Sequence, residues 1–238
     1  MVFWQLFLTH WKGIYRNQSG FFWTLVIPVA IYSALSLLPI GKFVPSQPSY
    51  SQYLLPGILA MQIMQGGIYG LAYWMIDLKS RGVIKRFLVA PLPIFALLSS
   101  LIASRIAVMF LQVIVMTFVG LMFFQVNFYW NILSIFLFVC LGGAIFLTIG
   151  LLISRFADTY EAAAPLTTAI GLPLTFLGNI FYPIDALPGA LLVVAKFLPI
   201  TYLADALRVL YSQPFQFSLI AKDLVVLMVW LVIVSLLA

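Results

Sequence analysis

The sequence predicts an all-α integral membrane protein of about six transmembrane helices, and three observations carry that prediction. Of the 238 residues, 64% are apolar and only 8% are charged, where soluble domains carry about 25% charged residues. The apolar residues gather into runs of the length a bilayer demands, since a hydrocarbon core ~30 Å thick takes ~20 helical residues. The runs cover 21–40, 54–76, 106–124, 131–154, 162–182 and a last one from about 224 to 238, and all the charged residues fall outside them. A water-soluble fold is excluded. So is an obvious ion-coupling site, because charges within spans mark ion pathways and proton relays and these runs hold none.

The elements follow in order. Over residues 1–20, Phe3, Leu6, Phe7, Trp11, Ile14 and Tyr15 recur at three- and four-residue spacing, with Gln5, Thr9, Lys12 and Arg16 on the opposite stripe. This spacing predicts an amphipathic helix lying in the membrane interface, its cations meeting anionic lipid. It lacks the compact apolar core of a cleavable signal peptide. With the N-terminus placed in the cytoplasm, eight cations (Lys12, Arg16, Lys79, Arg81, Lys85, Arg86, Arg105, Arg155) lie inside and four (Lys42, Lys196, Arg208, Lys222) outside. The positive-inside rule then puts both termini in the cytoplasm of a multi-pass plasma-membrane protein. The net charge of +6 is thereby topology, and no nucleic-acid partner is expected. The last run is short, so its helix either starts near Phe217 or ends early.

The loop DLKSRGVIKRFLVAPLP, within a cytoplasmic region 77–104, is the most basic segment. Ile84, Phe87 and Leu88 share one face, Lys85 and Arg86 fall elsewhere, and Pro91 and Pro93 stop the short helix. Two readings stand side by side: a helix that docks into a soluble partner, and a basic loop that only fixes topology. Outside, the segment 183–208 has apolar stretches too short to span, broken by Pro183, Pro188 and Pro199. A re-entrant helical hairpin is expected there, roofing whatever lies beneath it. Asp205 and Arg208 are spaced to pair on a helix, which is ordinarily a minor surface contact.

Two spans carry polar, small-residue stripes. Gln62, Gln65, Tyr69 and Tyr73 recur on the second, beside Gly66 and Gly70; Thr168, Gly171, Thr175, Gly178, Asn179 and Tyr182 recur on the fifth. Lipid rejects such stripes, so they face other helices or a polar pathway. Helix packing explains any one of these residues, while the pair of stripes points to a shared interface bordering a translocation route. Catalytic chemistry has little to work with. His10 is the sole histidine and Cys140 the sole cysteine, which leaves no metal cluster, no Ser-His site and no disulfide within the chain. Asp158 and Glu161 read as a local charge cluster near Arg155. No G-x-x-x-x-G-K-[ST] occurs in the sequence, so no P-loop of its own is expected to bind ATP.

Nearly the whole chain resembles the membrane subunit of the ABC type-2 exporter permeases. The resemblance is carried by the amphipathic N-terminal helix, by RGVIKRFLVAPLP, and above all by NIFYPIDALPGALLVVAKFLPITYLADALR. In that stretch Tyr182 and Pro183, Leu187 and Pro188, Pro199 to Tyr202, and Asp205 to Arg208 match the family signature. One departure is that Lys79, Ser80 and Arg81 precede Gly82, where family members often carry an acidic residue. The resemblance implies that the segment from Gly82 through Ile84, Lys85, Arg86, Phe87 and Leu88 to Pro91 is the coupling helix on a separate ABC ATPase. It implies ATP and Mg on that partner and no cofactor in this chain. A second permease chain, in a homodimer or a heterodimer, would complete the route, with Gln62, Gln65, Tyr69, Thr168, Thr175, Asn179 and Tyr182 bordering it.

The expectation is thus a single transmembrane permease domain over 1–238, without catalytic or metal residues, moving an amphipathic, drug-like or lipid-like solute out of the cytoplasm. A lipid-linked polysaccharide or glycolipid is the nearest alternative cargo. Two readings of other classes are an ion-coupled secondary transporter, which the uncharged spans disfavour, and an intramembrane lipid-modifying enzyme, whose catalytic groups only the outer hairpin would hide.

Overall fold

Our computed structural model describes residues 2–38, 49–83, 94–129 and 131–238. Over these it is helical, with no strand among the described residues. The helices are α1 (Val2–Arg16), α2 (Gln18–Leu37), α3 (Tyr50–Ser80), α4 (Ile94–Phe124), α5 (Ile132–Phe156), α6 (Tyr160–Leu177), α7 (Gly189–Ala195), α8 (Pro199–Ser212) and α9 (Phe217–Leu237), with a 3₁₀ turn at Ile184–Ala186. Five of them (α2, α3, α4, α5 and α9) are long and apolar enough to cross a membrane, and the bent pair α7–α8 makes a sixth if counted as one span. The expected all-α membrane fold is therefore present. The last span starts at Phe217, the first of the two options its short apolar run left open.

α3 is the central helix. It packs against α5, α8, α4, α2 and α6, and 78% of its most apolar window is buried, against 11% for α2 and 22% for α9. Its 31 residues span ~46 Å at helical rise, longer than the ~30 Å hydrocarbon core. The α3–α5 seam is set by glycine: a Cβ on Gly150 would lie 2.7 Å from the Gly67 carbonyl oxygen, and one on Gly67 would lie 2.6 Å from the Phe146 Cβ. Small residues let the two backbones touch, which is how helices associate where lipid offers no hydrophobic drive. For Gly67, on the α3 helix of the second-span stripe, helix packing is the observed role.

The charge placement needs correction. Arg105 stands inside α4, and Lys222 and Asp223 stand inside α9, although every charge was expected outside the spans. Both helices start well before their uninterrupted apolar runs, and residues 94–104, expected as loop, are the first turns of α4. Arg105 is tolerated because its guanidinium lies against the backbone of α3: a Cβ on Gly70 would lie 3.4 Å from its Nη1.

In the hairpin region each proline opens a helical piece. Pro183 caps the 3₁₀ turn, Pro188 caps α7, and Pro199 is the first residue of α8. Proline suits these positions because it has no N–H to leave unpaired. α7 and α8 meet at a bend of 76°, latched by Thr201 Oγ1 donating 2.7 Å to the Ala195 carbonyl. α1 packs along α4 and brings His10 edge-on to Trp74, 5.3 Å between ring centroids. Burial, and then the nearby Arg105, pull the His10 imidazole below its ordinary value of 6.5.

Candidate functional site

A cavity of about 660 Å³ lies between α2, α3 and α4, with Tyr160 of α6 on its wall. Gln62, Gln65, Tyr69 and Tyr73, the whole second-span stripe, line it. From Gln62 to Asp77 the α3 wall runs ~22 Å at helical rise. α4 supplies the facing wall through Arg105, Val108, Met109 and Gln112. These positions fall at i, i+3, i+4 and i+7, so they share one helix face.

The polar groups on these walls are poorly satisfied. Gln62 is 3% exposed, and neither its Oε1 nor its Nε2 has a hydrogen-bond partner among the described residues. Gln112, 5% exposed, donates from Nε2 to the Thr24 carbonyl at 3.3 Å but leaves its Oε1 unpaired. The Arg105 Nε is buried and unpaired as well. Each buried group without a partner costs ~1–3 kcal/mol, and native structures seldom leave several together without a reason. Asp77 forms no ion pair with Arg105 among the described residues; its Oδ1 receives the Arg81 Nε at 2.8 Å and the Tyr160 hydroxyl at 3.4 Å.

The run 162–182, expected as a fifth span, is not among the helices long and apolar enough to cross a membrane, because α6 ends at Leu177, and its polar residues go elsewhere. Thr168 is exposed. Thr175 is half-buried and donates 2.8 Å to the Gly171 carbonyl, and the Tyr182 hydroxyl donates to the Phe176 carbonyl. The α6 threonine that reaches α3 is Thr167, whose hydroxyl meets that of Tyr73 at 3.1 Å. Asn179 sits in a second polar cluster. It adopts φ +58°, a left-handed backbone that Asn tolerates better than most residues, and is 7% exposed. Its Oδ1 accepts from the Tyr53 hydroxyl at 2.6 Å, and its Nδ2 donates to Asp205. Arg208 closes the cluster by donating to the Asn179 carbonyl (2.8 Å), the Tyr53 carbonyl (3.3 Å) and the Asp205 carboxylate (2.9 Å). Its guanidinium also stacks 3.9 Å over the Tyr53 ring. The Asp205–Arg208 pair, expected as a minor surface contact, thus ties the α6–α8 region onto α3. The reason is burial: the Arg208 side chain is only 10% exposed.

Where α3 ends, Lys79 pairs with Asp158 at 3.0 Å and also donates to the Ser154 carbonyl, anchoring the α5–α6 turn. Gly82 follows at φ +64°, a conformation that a side chain would strain. The coupling residues Ile84, Lys85, Arg86, Phe87, Leu88 and Pro91 lie outside the described residues.

Sequence reasoning missed Arg105 and Gln112 because the charge at 105 served to end a span. Their seven-residue spacing, one helix face, was the available signal.

Residues 1–211 match the family model described as ABC-2 type transporter. The chain is 28% identical over 216 residues to the inner membrane transport permease YadH of Escherichia coli (strain K12), covering 87% of this chain and 83% of that one. YadH of Shigella flexneri matches to the same extent. YvfS of Bacillus subtilis (strain 168), whose name places it among transport permeases, is 23% identical over 191 residues, 79% of this chain and 76% of that one.

Proposed function

Because this chain belongs to the ABC-2 type transporter family, a family of membrane permeases that work with an ABC ATPase, we propose that it is the conduit of an ATP-driven exporter for an amphipathic, lipid-like or drug-like solute. Two permease chains and two ATPase subunits form the working unit, and both termini face the cytoplasm. The whole of 1–238 acts as one permease domain: the 1–20 helix rests in the interface against lipid, 77–104 carries the coupling segment, and 183–208 roofs the outer side. The observation that carries the reading is that the second-span stripe opens onto a sizeable cavity running from the middle of α3 to its charged C-terminal end. A solute entering there meets amide and phenol groups together with apolar walls, which suits a molecule with a polar head and an apolar body.

Nucleotide binding draws the ATPases together, the segment from Gly82 to Pro91 moves with them, and α3, a single rigid helix from Tyr50 to Ser80, transmits the motion. ATP does this by binding one conformation better than the other. The exposed α6 face with Thr168 lies toward the second chain, and Asn179, Thr175 and Tyr182 hold the outer end of that wall. The test is affinity purification from native membrane followed by reconstitution. An ABC ATPase should copurify in equal number with this chain, and Phe87→Asp should reduce its recovery at least tenfold while leaving the helical content unchanged, since a charge on the docking face must be desolvated. Undiminished recovery removes Phe87 from the interface, and transport by the chain alone overturns the proposal.

A further inference from the structure

We infer that the cavity between α2, α3 and α4 binds an anionic, hydroxyl-bearing head group, a phosphate or carboxylate on a polyol, carried by a membrane amphiphile. This names a substrate class for the conduit proposed above and rests on that reading for its transport role. The unmet groups on the walls set the chemistry. Arg105 forms no ion pair among the described residues, and its Nε is buried and unpaired. Asp77, the carboxylate on the facing α3 wall, is held by Arg81. A guanidinium near membrane depth without a counter-ion calls for an anion, and its planar fork matches phosphate and carboxylate oxygens.

The amides add the second requirement. Gln112 Nε2 gives one N–H to the Thr24 carbonyl and keeps a second, while its Oε1 is an acceptor that only an O–H or N–H can satisfy. Gln62, whose amide atoms have no partner among the described residues, offers two N–H donors and one more acceptor oxygen. The site therefore presents donors to an anion and acceptors to hydroxyls. Depth orders them: Arg105 is ~10 Å along α4 from Gln112 at helical rise, on the side of Asp77 and Arg81. The apolar lining from Ile27, Val108 and Met109, and a wall formed by the sparsely buried α2, admit an acyl chain from the bilayer. A volume of about 660 Å³ lies in the range of small-molecule sites.

The experiment uses the full chain purified in detergent without any ATPase and titrated with short-chain phosphatidylglycerol, whose head group carries one phosphate charge and free hydroxyls. Binding and thermal stabilisation are read together, with phosphatidic acid, diacylglycerol and glycerol 3-phosphate as comparisons. Phosphatidylglycerol should raise the melting temperature and bind at least tenfold more tightly than diacylglycerol. Arg105→Gln should weaken it at least tenfold and Arg105→Lys less. Gln112→Leu should erase the preference over phosphatidic acid. Gln62→Leu guards against misfolding, because removing an unpaired buried amide should leave the ligand-free melting temperature equal or higher while binding weakens. Glycerol 3-phosphate binding as tightly as the lipid assigns the pocket to a free anion and overturns the amphiphile. Wild-type lipid affinity in both Arg105→Gln and Gln62→Leu overturns the site. No arm depends on ATP, so its failure is separate from failure of the exporter proposal, which ATPase copurification reads.

Discussion

Replacing Arg208 by Met removes an ion pair to Asp205, two hydrogen bonds to the carbonyls of Asn179 and Tyr53, and a cation–π contact. Met fills much of the same volume, so the loss is electrostatic more than steric. A hydrogen bond from a charged group contributes ~1.5–3 kcal/mol, and taking one member out of a buried charged cluster costs ~3–5 kcal/mol. Asp205 is 37% exposed on its side chain, so solvent screens its share and lowers the total. The expected cost is ~3–4 kcal/mol for Arg208→Met but only ~1 kcal/mol for Asp205→Asn, because Asn still accepts from Arg208 and Asn179. Equilibrium unfolding in mixed micelles, followed by circular dichroism, measures both, and the double variant gives the coupling. A cost below ~1 kcal/mol for Arg208→Met, or a larger one for Asp205→Asn, refutes the claim that this cluster fastens the α6–α8 region to α3.

Four further outcomes are expected. Asn179→Leu loses the Tyr53 and Asp205 bonds and puts a branched side chain at φ +58°, so it should lower stability by ~2–3 kcal/mol, read as reduced thermal stability in detergent; an unchanged melting temperature with altered transport alone would make it a route residue only. Gly82→Ala, strained at φ +64° with no described residue within 4 Å of the added Cβ, should lower ATPase-coupled transport with a stability cost of only ~1 kcal/mol, checked by transport assays beside unfolding. Tyr73→Phe removes the hydroxyl contact to Thr167 and should cost ~1 kcal/mol in the same unfolding assay. The folded state holds the His10 imidazole below 6.5, so the unfolded chain binds its proton first and stability is lost as pH falls through and below 6.5. Melting curves between pH 8 and 5 should show that loss in the wild-type chain and a flatter profile in His10→Gln.

The helical spans were legible because lipid imposes one rule, apolar runs of sufficient length, and α2, α3, α5 and α9 obey it. α4 was read short for the same reason: Arg105 broke the run, yet a cation can sit in a helix when a cavity and a glycine face make room for it. The polar stripe of α3 was visible in the spacing of Gln62, Gln65, Tyr69 and Tyr73, and all four line one cavity. The α6 stripe was equally regular, but spacing carries no information on what a face meets. Thr168 points outward, and Asn179 is captured by Arg208, a residue 29 positions away whose role depends on how α8 folds back. Pairings of that kind are tertiary, and a single helix's periodicity does not encode them.

The central claim is that this chain transports only with an ATP-hydrolysing partner. The direct measurement is uptake of a labelled anionic amphiphile into inverted proteoliposomes holding the chain with or without its copurified ATPase. Accumulation that requires both the ATPase and hydrolysable ATP, and that halts in Phe87→Asp, is the predicted result. Accumulation by the chain alone under an ion gradient, with no ATPase present, would contradict it.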